Sequence, residues 1–155
     1  MMKKRKLEWW PFVLFIGLTV CLMLMWSLRK EGWFLDEVYS YGLSNSTEGP
    51  FLTDLHDDWE NVMVAENERF DYATVYYNQT QDVHPPLYYF FLHTVCSLFP
   101  GSFTKWTGIG LNFVFLGCTL VAMYALALEL LHDSKKALFA CALYVFNRQA
   151  VTHFM

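Results

Sequence analysis

The chain has 155 residues, of which 55% are hydrophobic and 19% aromatic, with 17% charged and a formal net charge of −4. Ordinary soluble domains run about 45–50% apolar and about 25% charged, and disordered chains are poor in aromatics, so neither class fits. The acidic balance argues against nucleic acid as a partner, because phosphate binding needs a basic face.

Residues 1–8 hold the basic cluster Lys3, Lys4, Arg5 and Lys6. Residues 9–28 then run without a charge, the ~20 apolar positions that a bilayer-spanning helix needs. Trp9, Trp10 and Trp26 bracket this run as interfacial anchors do, and Pro11 sits in the first turn, where its missing N–H costs little. The run is long for a cleaved signal peptide and no small-x-small pattern follows it, so it reads as a first transmembrane helix. The basic cluster places the N-terminus in the cytoplasm.

Residues 29–105 then form a large external loop. Its first part, residues 29–83, carries 12 acidic residues and three basic ones. Asn45-Ser46 and Glu48-Gly49-Pro50 punctuate it. Leu55, Trp59, Val62 and Met63 recur at helical spacing and predict a helix around residues 54–67. Asn45-Ser46-Thr47 and Asn78-Gln79-Thr80 match the three-residue glycosylation pattern, which is frequent by chance. His56-Asp57-Asp58-Trp59-Glu60 packs carboxylates and an imidazole together without a glycine-anchored calcium loop, and reads as a solvated acidic turn.

Residues 86–99 are apolar but short. Fourteen helical residues span about 21 Å against a hydrocarbon core of roughly 30 Å, so the segment reads as an interfacial helix. Tyr89, His93 and Ser97 share one face of it as a narrow polar stripe. Residues 106–131 form a second transmembrane helix, and 132–136 a short loop whose Lys135 and Lys136 join the N-terminal cluster on the cytoplasmic side. Residues 137–155 read as a third transmembrane helix cut short, as in a module of a longer chain. Arg148 there either serves function or snorkels into water. Cys21, Cys96, Cys118 and Cys141 have no metal-ligand or redox spacing and read as packing residues. The fold class expected is therefore all-α integral membrane.

Two groups could carry chemistry. Asp36-Glu37 follow the first membrane helix closely, where paired carboxylates can act as a general base, bind a cation, or only solvate a loop. In Asp82-Val83-His84-Pro85-Pro86-Leu87-Tyr88-Tyr89, Pro85 excludes His84 from the α region and holds its ring rigidly, with Asp82 near enough to orient it. An incidental histidine at a rigid helix start is the plainer alternative. No glycine-rich phosphate loop, nucleophile elbow or His-Glu-x-x-His pattern is present.

The ordered pair of Asp36-Glu37-x-x-Ser40-Tyr41 and Asp82-Val83-His84-Pro85-Pro86-Leu87-Tyr88-Tyr89, with Leu98-Phe99-Pro100-Gly101 and a membrane helix after it, resembles the start of a polytopic glycosyltransferase of the GT-C class. The likeness is to the protein O-mannosyltransferase-like family, with its bacterial members and the lipid A aminoarabinose transferases. The resemblance implies a GT-C-like architecture with juxtamembrane helices in the first external loop. It also implies inverting transfer of a sugar from a polyprenyl-phosphate donor to a protein, polymer or glycolipid acceptor at the outer face of the membrane. By the same resemblance Asp36 would be the catalytic base and Glu37 its support. His84, with Asp82, would lie near the donor phosphate or the reaction centre. A divalent cation is left open, a bacterial cytoplasmic membrane is the expected location, and these residues alone are expected to be inactive. The rival classes are a small non-enzymatic membrane subunit, for which three hydrophobic segments and an acidic loop suffice, and a polytopic transporter, whose charged residues would lie within the spans.

Overall fold

The computed structural model describes residues 9–49 and 58–147. Its order is α1 (Trp10–Arg29), α2 (Leu35–Asn45), two 3₁₀ turns (Asp58–Val62 and Glu66–Glu68), α3 (Tyr72–Gln79), α4 (Leu87–Leu98), α5 (Lys105–Leu131) and α6 (Ser134–Val145). The described residues are helical without strands. The chain divides into two compact units, one of Met1–Glu31 with Asn112–Met155 and one of Gly32–Leu111.

In the first unit, Phe12 and Met23 of α1 share a core with Leu116, Leu120 and Tyr124 of α5 and Ala137, Cys141 and Val145 of α6. Phe12 stacks on Tyr124 with ring centroids 4.1 Å apart. The outward positions are equally apolar: Val13, Leu14, Leu18, Val121 and Leu126 are all exposed. Only 22% of the most apolar stretch of α1 and 17% of that of α5 is buried. A core helix of a soluble protein buries its apolar surface, so this distribution suits lipid on the outside. Both helices are long and apolar enough to cross a membrane.

The second unit is built on α2, which packs against α3, α4 and the first 3₁₀ turn. Its interior mixes apolar side chains, among them Val38, Leu43, Val62, Val75 and Leu92, with polar ones. Ser44, Asn45, Ser46, Asn78, Gln79, His93 and Ser97 are all buried. The Asn45 amide donates to the Val62 carbonyl at 2.8 Å, and the Asn78 amide to the Ser46 carbonyl at 2.8 Å. The Ser97 hydroxyl accepts the Phe70 N–H at 3.0 Å, and Arg69 Nε donates to the Ser97 carbonyl at 2.8 Å. Both glycosylation-pattern asparagines are thus buried and engaged, and neither side chain is presented for modification.

Several boundaries differ from the sequence-based expectations. Residues 58–68 form two 3₁₀ turns rather than one helix over 54–67, of which 54–57 lie outside the described residues. The carbonyls of Val62 and Val64, which a continuing helix would use, are taken by Asn45 Nδ2 and the Gly101 N–H. The loop expected at 132–136 shrinks to His132 and Asp133, because Asp133 caps α6 by accepting the N–H groups of Lys135 and Lys136. The helix placed at 137–155 therefore starts at Ser134 and its described part ends at Val145, while residues 148–155 lie outside the described residues. Helices α2 and α3 lie inside the external segment, where the sequence-based reading expects juxtamembrane helices but assigns these two no bounds. The basic cluster at 3–6, most of the acidic turn at 56–60, and Arg148 lie outside the described residues or side chains.

Candidate functional site

The first turn of α2 carries Asp36 and Glu37. Carboxylates suit this position because the helix N-terminus presents unpaired N–H groups and a partial positive charge. The two carboxylates are used differently. Glu37 turns back and accepts the Phe34 N–H at 3.1 Å, the glutamate half of a capping box. The Asp36 side chain is exposed and has no hydrogen-bond partner among the described residues, and its carbonyl accepts from Ser40 at 2.8 Å.

The second motif lies between α3 and α4. His84 Nδ1 is 2.8 Å from Asp82 Oδ2, and the His84 N–H points at the same oxygen at 3.4 Å. The Asp82 side chain is 12% exposed and the His84 side chain 64% exposed, so the carboxylate is tucked in and the ring is presented outward. Burial pushes the Asp82 carboxyl up, but hydrogen bonds from His84 and the Val83 N–H, with the His84 charge, outweigh it and leave it below the usual carboxylate range.

Packing of α2 on α4 joins the two motifs. Tyr89 is buried, its phenol in hydrogen-bonding reach of Ser40 and within electrostatic reach of Asp82. Tyr88 is half-buried near Glu37; burial first, then Tyr89 and Glu37, pushes its phenol up to about 12. Tyr88 therefore stays protonated near neutral pH. Asp36 and His84 make no contact with each other. Sequence reasoning quoted Ser40, Tyr41, Tyr88 and Tyr89 within motifs but gave them no role. Their signal was position, one helical turn after Asp36 and one after Pro85-Pro86.

Among the described residues no three histidine, cysteine, aspartate or glutamate side chains converge in a metal-binding arrangement. A cation at this site would lean on Asp36, since Glu37 is committed to the cap. The shallow apolar groove on one face of α5, lined by Val114, Gly117, Cys118 and Val121 among others, offers no charged group for chemistry.

No protein-family model, curated protein or solved structure matches the chain.

Proposed function

We propose that these residues belong to a membrane glycosyltransferase that moves a sugar from a polyprenyl-phosphate donor to an acceptor at the outer face of the bilayer. The supporting observation is the convergence of the Asp36 and His84 motifs in one unit, with Asp36 exposed and unpartnered while its neighbour Glu37 serves the helix cap. Two helices of spanning length adjoin that unit in sequence, so a lipid-linked donor would be met where it resides. In this reading Asp36 removes the proton from the acceptor nucleophile. His84, held by Asp82, stands near the departing phosphate, whose charge needs donors or cations. The N-terminus and Lys135-Lys136 face the cytoplasm, and residues 29–105 face outward.

The test is sugar transfer by the full-length protein carrying Asp36→Asn. Loss of a general base costs on the order of 10²–10⁴ in rate, and that loss is expected at wild-type levels of folded, membrane-inserted protein. Activity per folded molecule within about twofold of wild type, far short of that effect, would reject Asp36 as the base.

A further inference from the structure

The start of α5 is not closed in the usual way. In α1, α2, α4 and α6 the first helical bond runs directly from residue i+4 to the capping carbonyl: Val13 to Trp9 at 3.0 Å, Val38 to Phe34 at 3.2 Å, Phe90 to Pro86 at 3.2 Å and Ala137 to Asp133 at 3.0 Å. In α5 the corresponding pair is Gly108 N–H and the Thr104 carbonyl, and the Tyr41 hydroxyl stands between them. It donates to the Thr104 carbonyl at 2.8 Å and accepts the Gly108 N–H at 2.9 Å. A side chain from α2 has thus entered the backbone ladder of α5, an arrangement that loosens or bends a helix locally. Gly108 makes room for it: a Cβ there would sit 3.3 Å from the Tyr41 hydroxyl oxygen and 3.8 Å from that of Tyr88. The ring is held from the sides by Trp33 and Phe103, each edge-on to it, while Trp33 and Phe103 stack on each other at 4.1 Å.

We infer that Tyr41 is a positioning residue: its hydroxyl, seated in the first turn of α5, fixes the turn of α2 that carries Asp36 to the start of α5. This rests on the reading of Asp36 as the reactive carboxylate. Tyr41 lies five residues after Asp36 on the same rigid helix, so its placement sets where the carboxylate stands. The hydroxyl is poorly explained as a stabilising bond alone. Without it, Gly108 and Thr104 can pair with each other as their counterparts do in the other helices, and no buried group is left unsatisfied. What is lost is the registration of α2 on α5.

The experiment compares Tyr41→Phe, Gly108→Ala and the double variant in the full-length protein. It measures amide hydrogen exchange across 35–45 and at Gly108, melting temperature, and kcat and KM for transfer from a polyprenyl-phosphate sugar. Tyr41→Phe keeps the ring contacts, so its melting temperature should stay close to wild type. Exchange in α2 should quicken, exchange at Gly108 should slow as the ladder closes, and kcat should fall by roughly tenfold or more at unchanged KM, as small misplacements of a reacting group do. Gly108→Ala should act in the same direction by pushing the hydroxyl away, and should add no loss once Tyr41 is phenylalanine. Unchanged exchange in Tyr41→Phe, additive losses in the double variant, or a kcat loss that tracks a fall in melting temperature would each overturn the inference. If the wild-type protein transfers no sugar, the glycosyltransferase reading fails, and exchange with the double-variant comparison still decides whether Tyr41 registers α2 on α5.

Discussion

The two units of this chain differ in how many hydrogen-bonding side chains they bury. The unit of α1, α6 and most of α5 is apolar outside and mostly apolar inside: Leu18 and Val121 are exposed, Leu120 and Cys141 are buried, and Thr19 and Ser27 are its buried polar side chains among the described residues. The unit of residues 32–111 buries Asn45, Asn78, His93 and Ser97 among Val62, Val75 and Leu92, and its α4 turns Leu87, Phe91 and Leu98 outward. Where both faces of a helix are greasy, shape and close packing select the partner, because lipid is as apolar as a leucine. Where the interior is polar, hydrogen bonds select the register, and each buried partner that is lost leaves another unsatisfied. The second unit is therefore the one whose geometry is specified atom by atom, as a site requires.

The largest expected effect on stability falls on that polar interior. Asn45 donates to the Val62 carbonyl at 2.8 Å, and its side-chain oxygen faces His93 Nδ1 at 3.2 Å. Asn45→Ala uncovers both groups at once. At about 1–3 kcal/mol for each buried group left unpaired, destabilisation of about 4 kcal/mol is expected in denaturant unfolding of purified protein. A change of less than about 0.5 kcal/mol would mean that these groups find water instead, and the contrast between the units would lose its basis.

A somewhat smaller effect tests the other side. Leu18 is 57% exposed in the middle of α1. If lipid covers it, Leu18→Lys should cost about 2.5–3.5 kcal/mol of insertion and reduce membrane-integrated protein in an alkaline-extraction assay. If water covers it, the lysine is harmless and improves solubility. That second outcome would remove the membrane from the comparison altogether.

The same contrast explains what could be read from the sequence. Helices α1 and α5 were legible to within a residue or two, since their signal is unbroken apolarity over 20 or more positions. Helix α4 was legible through Pro85-Pro86 at its start and Pro100-Gly101 beyond its end, and so was the shared face of Tyr89, His93 and Ser97, which the structure buries. Helix α2 was not, because its buried face mixes Val38 and Tyr41 with Gly42, Ser44 and Asn45, and no apolar period survives that mixture. Asp71 ahead of α3 and Asp133 ahead of α6 were readable caps passed over, each accepting two N–H groups of its helix. The acid pair and the histidine were visible as motifs. That Glu37 is spent on a cap is a contact three residues long, whereas that Tyr41 enters another helix depends on packing between residues more than 60 positions apart.

The smallest effect is a pH dependence confined to the polar unit. His93 is 2% exposed, and its Nδ1 faces the Asn45 oxygen. Asn45 Nδ2 is already donating to Val62, so Nδ1 carries the proton and Nε2 is a buried lone pair without a partner. Tyr72 meets the ring edge-on. Burial holds the imidazole below its ordinary range, against the opposing pull of the Ser44 backbone, Asp71 and Glu68. The unfolded chain then binds a proton near pH ~6.5 that the folded chain refuses until lower pH. In that interval the unfolded state carries more protons, so stability is complete above about pH 7 and declines as pH falls through the imidazole range. Asp71 and Asp82, both held low in the folded state, add losses only below about pH 4, a separate window. Melting temperature recorded between about pH 7.5 and about pH 5 should therefore fall with pH, and His93→Gln, which retains a side-chain donor for Asn45, should flatten most of that slope. A slope that survives His93→Gln would assign the dependence to other groups, and the buried imidazole would then be a packing element of the polar interior with no part in its titration.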